Sequence, residues 1–182
     1  MKHFFLLLLT LIALGACNAH AEKADSDKPT NVEADQMAYD DVKQINTFTG
    51  NVVLTRGTLV MRAHKLVVSQ DPAGYQFATL LAPAGGVATF RQKRDAGPNQ
   101  WIEGQAERIE YDGKTEIVKL FSKAKMRRLE GNKPTDEVEG EFISYDSRAE
   151  FFTVNNTASG ASKPGGGRIK ATIQPRSESK DK

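Results

Sequence analysis

The sequence predicts an all-β fold built from many short antiparallel strands. From Asn31 to about Gln174, polar and apolar residues alternate, and turn-forming residues interrupt this alternation at intervals of about 8 to 12 positions. Two segments can be paired as hairpins with an apolar and a charged face, and one short strand pattern recurs along the chain. The 182 residues include 15 Gly and 7 Pro, which further disfavours a helical bundle.

The first residues are predicted to be an export signal and not part of the fold. Lys2 precedes an apolar run over residues 4–16, which is shorter than the roughly 20 residues that span a bilayer, and Ala19 and Ala21 suit cleavage after residue 21. The alternative is a lipoprotein signal, because Leu14-Gly15-Ala16-Cys17 is similar to a lipobox that ends before a lipidated Cys17. We expect residues 1–21 to be the signal peptide and residues 22–30 to be a disordered lead.

Composition argues against several function classes. A net charge of +2 disfavours nucleic-acid binding, which needs clustered positive charge. Cys17 is the only cysteine and His64 the only histidine beyond the signal peptide, so no metal site or catalytic triad can assemble from them. Glu139 and Glu141 are adjacent on one strand face, as the carboxylates of a glycosidase can be, but their expected partners are Lys125 and Lys123. Gly165-Gly166-Gly167 lacks the Lys-Ser/Thr of a phosphate-binding loop. We therefore expect no enzyme activity, no cofactor and no metal.

The first hairpin is predicted around a two-residue turn at Arg56-Gly57. Pairing Thr55 with Thr58 sets Val52 opposite Met61, and one face of the hairpin becomes apolar.

The second hairpin is predicted from charge as well as polarity. Folding the chain at the loop of residues 131–134 sets Arg127 opposite Glu137, Lys125 opposite Glu139 and Lys123 opposite Glu141. The same register aligns an apolar face whose members are Leu120, Ser122, Ala124, Met126, Val138, Gly140 and Phe142. Pairs of opposite charge contribute little free energy each, yet they specify the register.

A strand pattern that ends in Tyr-Asp occurs three times. It covers residues 34–40, 106–112 and 140–146, with a weaker copy at 63–68. We expect each Tyr-Asp to end a strand in a turn.

Four stretches carry a family resemblance. They are Phe48 to Leu54 with Gly57, Ala88 to Gln92, Glu103 to Tyr111, and Gly140 to Asp146. In this order and spacing, the chain resembles the LptA/OstA family of periplasmic bridge proteins, which carry lipopolysaccharide to the outer membrane. The Gly- and Lys-rich segment from Ser159 to Gly167 departs from the family pattern.

The resemblance implies an open, twisted β-jelly roll over residues 31–175, followed by a disordered charged tail at residues 176–182. It implies that lipid A acyl chains lie between two sheets, and small residues such as Gly50, Ala63 and Ser122 would leave room for them. Chosen by strand face and repeat position, the expected lipid-binding residues are Phe48, Val52, Leu54, Met61, Leu66, Phe90, Leu120, Met126, Phe142 and Phe152. The alternative is that these side chains fill a β-sandwich core that binds no ligand.

The resemblance also implies partners at both sheet edges. The N-terminal edge, near Val32 to Tyr39, would meet an inner-membrane export complex. The C-terminal edge, Arg168 to Gln174, would meet an outer-membrane translocon or another copy of the chain, head to tail. A membrane-anchored relative, LptC, shares the family fold, and a retained N-terminus would favour that assignment.

Overall fold

The computed structural model describes Asp25 and residues 27–175, which form twelve β-strands in one antiparallel sheet. The predicted signal peptide and the predicted tail at residues 176–182 lie outside the described residues. The strands are β1 Asn31–Glu33, β2 Gln36–Asp40, β3 Ile45–Arg56, β4 Leu59–Gln70, β5 Gln76–Leu81, β6 Ala88–Lys93, β7 Gln100–Ala106, β8 Arg108–Asp112, β9 Ile117–Glu130, β10 Lys133–Asp146, β11 Phe151–Asn155 and β12 Lys170–Ile173.

Four long strands run through the whole sheet, and pairs of short strands fill the space between and beside them. Strands β3, β4, β9 and β10 are each 12 or 14 residues long. Half-sheet 1 consists of one half of each long strand together with β2, β5, β8 and β11. Half-sheet 2 consists of the other halves together with β1, β6, β7 and β12. One hydrophobic cluster contains buried side chains from both half-sheets, so the two share a core.

The core is organised as rows of directly opposed side chains that cross each half-sheet. In half-sheet 1, one row consists of Met37, Phe48, Leu66, Leu80, Ile109, Leu120, Ile143 and Val154. In half-sheet 2, the corresponding row consists of Val32, Leu54, Met61, Phe90, Gly104, Met126, Val138 and Ala171. Because cross-strand neighbours point to the same face, each row forms one continuous strip of the inner surface.

The long strands bend where they pass from one half-sheet to the other. In β3 the register shifts between Thr49 and Val52, where Gly50 and Asn51 have φ of 81° and 46°. The Asp35 carboxylate accepts a hydrogen bond from Asn51 Nδ2 (2.9 Å), and a Cβ at Gly50 would lie 2.2 Å from Asp35 Oδ2. Gly50 therefore serves a bulge and a close approach, and does not leave room in the core as expected.

The first hairpin is offset by two residues from the predicted register. Arg56 pairs with Leu59, Leu54 with Met61 and Val52 with Ala63. Gly57 is the first residue of the two-residue turn, with φ of 58°, which is the position where a type II′ turn requires glycine. An offset of two keeps every side chain on its predicted face, so the apolar face is retained although the pairs are wrong.

The second hairpin is confirmed up to a bulge. Arg127 lies opposite Glu137, Val138 opposite Met126 and Lys125 opposite Glu139. Beyond Gly140 the register shifts, because Ser122 and Lys123 adopt left-handed conformations with φ of 61° and 52°. The predicted Lys123–Glu141 pair is therefore wrong.

The bulge also changes which residues of β10 face the core. Phe142 pairs with Phe121, and the buried Ile143 pairs with the buried Leu120. Since successive residues of a strand point to opposite faces, Phe142 lies on the outer face, edge-to-face against Phe121 at 5.1 Å between ring centroids.

The three Tyr-Asp repeats end strands in turns, as predicted. Asp40, Asp112 and Asp146 are the last residues of their strands, and their carboxylates accept hydrogen bonds from backbone N–H groups two or three residues later. The strand pattern is therefore a repeated strand-and-turn unit, and all three of these turns lie at the ends of half-sheet 1.

Candidate inter-sheet cleft

A cleft of about 870 Å³ opens between the ends of the two half-sheets. Leu59, Met61 and Phe90 line it from half-sheet 2, and Val118 and Tyr145 line it from half-sheet 1. Their side chains are between 2% and 8% exposed, so the floor of the cleft is apolar and continuous with the core. A hydrocarbon chain is the kind of ligand that such a surface can hold.

The rim of the cleft is charged. It carries cations from Lys28, Arg56 and Arg148 and anions from Asp95, Glu116 and Glu150. Arg148 Nε lies 3.9 Å from Glu116 Oε2. Positive and negative side chains surround the apolar floor, an arrangement that suits an amphipathic ligand with an apolar body and a charged head.

A group of contacts, here called the mouth bridge, connects the half-sheets beside the cleft. Arg94 Nη2 lies 2.6 Å from Glu150 Oε2, and the Arg94 side chain is 8% exposed. Arg128 donates a hydrogen bond to the backbone carbonyl of Glu150 (3.1 Å), and its guanidinium lies 5.4 Å from the centroid of the Phe152 ring. Arg94 and Arg128 belong to half-sheet 2 and Glu150 belongs to half-sheet 1. The mouth bridge therefore restrains the distance between the two half-sheets beside the cleft.

A rigid turn supports the half-sheet 1 side of the rim. Burial acts to raise the pKa of the Asp112 carboxyl, but hydrogen bonds from Thr115 and the N–H of Lys114 outweigh it, and the pKa lies below its usual value. This turn carries Gly113 and Glu116, both of which line the cleft.

The lead, predicted to be disordered, is in part attached to half-sheet 2. Asp25 is 3% exposed, and its carboxylate accepts hydrogen bonds from the N–H (2.8 Å) and hydroxyl (2.6 Å) of Thr58 and from Gln92 Nε2 (3.2 Å). Lys28 and Thr30 then follow the rim of the cleft. The prediction of a disordered lead missed this contact, because the contact depends on the β3–β4 hairpin turn at Gly57 and Thr58, which is distant in the sequence.

The structure distributes the predicted lipid-binding residues over three environments. Met61 and Phe90 line the cleft. Val52, Leu54, Leu66, Leu120 and Met126 are buried in the shared core, and Phe48 and Phe152 are partly buried against it. Phe142 lies on the outer face beyond the bulge. The lipid-binding role of all ten residues stays a prediction, and Phe142 lacks the inward orientation on which its prediction was based.

Three residues of the cleft floor were not among the predicted lipid-binding residues. Leu59 lies two positions before Met61, so the predicted hairpin had already placed it on the apolar face. Val118 lies two positions before Leu120, so the same face argument includes it. Tyr145 could not be found by parity, because the bulge reverses the faces of β10 before residue 145.

Outside the cleft, the outer face of half-sheet 2 carries a network of ion pairs. Glu103 pairs with Arg91 and, at 2.7 Å, with Arg127, and Lys125 pairs with Glu137 at 2.7 Å and Glu139 at 3.1 Å. Lys123, which was expected to face Glu141, pairs instead with Glu107 at 2.7 Å.

Two observations concern Asp25 and residues 27–175, the part of the chain that the structure describes. No three His, Cys, Asp or Glu side chains in this part of the chain are grouped as metal ligands would be. No helix there has the length and apolar content needed to cross a membrane.

Comparison with protein families identifies relatives over most of the chain. Residues 31–151 match the model of the family described as LptA/(LptD N-terminal domain) LPS transport protein. The chain is 32% identical over 140 residues to the lipopolysaccharide export system protein LptA of Escherichia coli K12, an alignment that covers 77% of this chain and 71% of that protein. It is 29% identical over 150 residues to LptA of Haemophilus influenzae, covering 82% of this chain and 83% of that protein.

A solved structure has a similar fold. The crystal structure of LptH, the LptA-homologous periplasmic component of the lipopolysaccharide transport device of Pseudomonas aeruginosa, matches with a TM-score of 0.69 and 27% identity. The match covers 83% of this chain and 99% of the LptH chain. The all-β jelly-roll architecture expected from the sequence is thereby confirmed.

Proposed function

The chain belongs to the LptA/LptD N-terminal-domain family of lipopolysaccharide transport proteins, and on this basis we propose that it carries lipopolysaccharide through the periplasm as one link of a bridge between the two membranes. The acyl chains of the lipopolysaccharide would lie in the inter-sheet cleft. The observation that carries this part of the proposal is the apolar floor of Leu59, Met61, Phe90, Val118 and Tyr145 inside a charged rim.

The energetics of the cleft suit a carrier. Removing acyl-chain surface from water is favourable by roughly 25 cal/mol per Å², and it requires no directed bonds. A ligand held in this way can move along a continuous apolar surface without any chemical step. The energy for directional export would come from the inner-membrane complex.

The sheet edges support the proposed docking of partners. Strands β1 and β2 pair only with β3, and β11 and β12 pair only with β10, so each end of the sheet has one unpaired edge among the described strands. Met37 and Tyr39 are 57% and 51% exposed at the N-terminal edge, and Ile173 is 79% exposed at the C-terminal edge. We propose that the inner-membrane complex docks at the first edge, and an outer-membrane translocon or a further copy at the second.

A structural β-sandwich is the second candidate. It is favoured by the row of half-sheet 1, in which Leu66, Leu80, Ile109, Leu120 and Ile143 are no more than 1% exposed, as in a filled core. An LptC-like membrane anchor depends on the N-terminus, and mass spectrometry of the mature protein tests it by giving the first residue and any lipid.

Site-specific photocrosslinking tests the proposed location of the ligand. A benzophenone amino acid at Val118 faces the cleft, whereas the same probe at the neighbouring Lys119 is exposed on the opposite face. We expect crosslinks to lipopolysaccharide from position 118 and none from position 119. Equal yields at the two positions, or none at 118 in a folded protein, would contradict the proposal.

A further inference from the structure

Gly104 has no backbone reason to be glycine. It lies in the interior of β7 between the buried Ile102 and Ala106, and its φ is not positive. Glycine in a strand interior is unfavourable, because it loses more conformational entropy on folding and has no side chain to pack. Its presence therefore points to a close approach by a neighbouring group.

That neighbour is the ring of Phe90. Phe90 lies directly opposite Gly104 in the β6–β7 register, and a Cβ at residue 104 would lie 2.1 Å from Phe90 Cε1 and 2.7 Å from Cζ. The ring thus lies over the glycine, in the space that any side chain would occupy. Carbon atoms pack at about 3.5–4.0 Å, so a methyl group at residue 104 would displace the ring by about 1.5 Å.

The displaced ring would move toward the cleft. In the inner row of half-sheet 2, Met61 lies on one side of Phe90 and Met126 lies beyond Gly104, and both are buried. Phe90 itself lines the cleft, which is the larger of two cavities beside it; the other, of about 210 Å³, is lined by Gly104 and the outer-face ion pairs. The equivalent central row of half-sheet 1 contains no glycine and is filled by Leu and Ile side chains.

We propose that Gly104 is a specificity-determining residue: by letting the Phe90 ring approach the backbone of β7 closely, it sets the depth of the inter-sheet cleft and hence the acyl chains that the cleft accepts. This inference rests on the proposed function. Neither residue needs to contact the polar head of the ligand, so the effect is on the number and bulk of the acyl chains.

The test compares capture of two lipid A forms, with six and with four acyl chains, by purified full-length mature protein. Gly104→Ala should lower capture of the six-chain form about 10-fold and change capture of the four-chain form much less, since pocket shape discriminates by about that factor per group. Adding Phe90→Leu to Gly104→Ala should restore capture of the six-chain form, because the smaller leucine side chain frees the space that the displaced ring would take.

A matched control separates depth from stability. A Cβ at Gly140 would also be crowded, at 2.6 Å from Val154 Cγ1, but Val154 does not line the inter-sheet cleft, whereas Phe90, the crowded neighbour of Gly104, does. Gly140→Ala should lower the thermal midpoint without changing the preference between the two lipids. If Gly104→Ala lowers capture of both lipids equally, or if Phe90→Leu fails to rescue it, the inference is overturned.

If Gly104→Ala does not fold, Phe90→Leu is compared with the double variant that carries both Phe90→Leu and Gly104→Ala. The single variant Phe90→Leu must then capture the six-chain form better than the double variant does. If the wild-type protein captures no lipopolysaccharide, the proposed function fails. The role of Gly104 is then decided by uptake of the apolar dye N-phenylnaphthylamine, which must fall in Gly104→Ala and recover in the double variant.

Discussion

Lys125 lies between two carboxylates on the outer face of half-sheet 2. Glu139 is its partner in the strand register, but the ammonium is closer to Glu137, at 2.7 Å against 3.1 Å. The hydrogen bond to Glu137 is the main reason that the pKa of Lys125 is raised, and the hydrogen bond from Lys125 is the main reason that the pKa of Glu139 lies below its usual 4.5. These groups are partly exposed, so solvent screens the pair.

Removing the Glu139 charge is expected to have a small effect that depends on pH. A lowered folded-state pKa means that Glu139 stabilises the fold above its unfolded pKa, and that this stability is lost as the pH falls through the folded value. Glu139→Gln should therefore cost about 0.5 kcal/mol at neutral pH and converge with the wild type in acid, below the lowered folded-state pKa. Urea unfolding at a series of pH values measures the difference, and a difference that grows in acid would contradict it.

At the scale of elements, the mouth bridge connects segments that are far apart in the sequence. Glu150 receives Arg94 at its carboxylate and Arg128 at its backbone carbonyl. Because Arg94 is nearly buried, its charge depends on this partner more than a surface arginine would.

Glu150→Ala should destabilise the protein by about 1–3 kcal/mol, since it leaves the Arg94 guanidinium buried without its carboxylate. Glu150→Gln is the matched control, because an amide oxygen can still accept from Arg94 and both variants keep the same left-handed backbone, with φ of 49°. Thermal denaturation measures both. Equal midpoints for the two variants would show that the carboxylate position carries no acceptor role.

Elements were predictable where the side-chain pattern itself encodes them. The alternating charges around Lys125 and Glu139 located the second hairpin in its correct register. The bulge that follows could not be found in this way, because Ser122 and Lys123 are left-handed without being glycine, and so give no local signal. Gly57 did give a signal, but the turn was placed one residue early because glycine was assigned to the second turn position.

The cleft could be predicted only in part, because its rim consists of turns. The apolar residues Met61 and Phe90 were found from strand faces. The rim combines the lead, the β3–β4 hairpin and the ends of β8 and β10, which meet only after both half-sheets have formed. Gly104 was not recognised either, since its meaning depends on the ring of Phe90 in the neighbouring strand.

At the scale of the whole molecule, the sheet has an edge at each end that no other described strand pairs with, and self-association is the expected consequence. Deleting residues 168–175 removes β12, which among the described strands pairs only with β10, and should abolish concentration-dependent association. Ile173→Lys is a milder variant, which should weaken association at an edge position that is 79% exposed without changing the thermal midpoint. Sedimentation velocity measures both, and oligomers that persist after the deletion would refute the head-to-tail arrangement.

The central claim is that acyl chains occupy the inter-sheet cleft, and a pair of glutamate substitutions tests it most directly. Leu59 and Val52 are 5% and 2% exposed, but only Leu59 lines the cleft, where Arg56 is its cross-strand neighbour. A carboxylate at residue 59 can reach water and Arg56, whereas one at residue 52 would be buried unpaired at a cost of several kcal/mol.

The measurement is lipopolysaccharide capture by Leu59→Glu, made together with its thermal melt and with Val52→Glu as the reference for a filled core. We predict that Leu59→Glu melts close to the wild type and no longer captures lipopolysaccharide, while Val52→Glu unfolds. A collapsed melt of Leu59→Glu would support the filled sandwich core. A normal melt with undiminished capture would show that the acyl chains do not occupy the cleft.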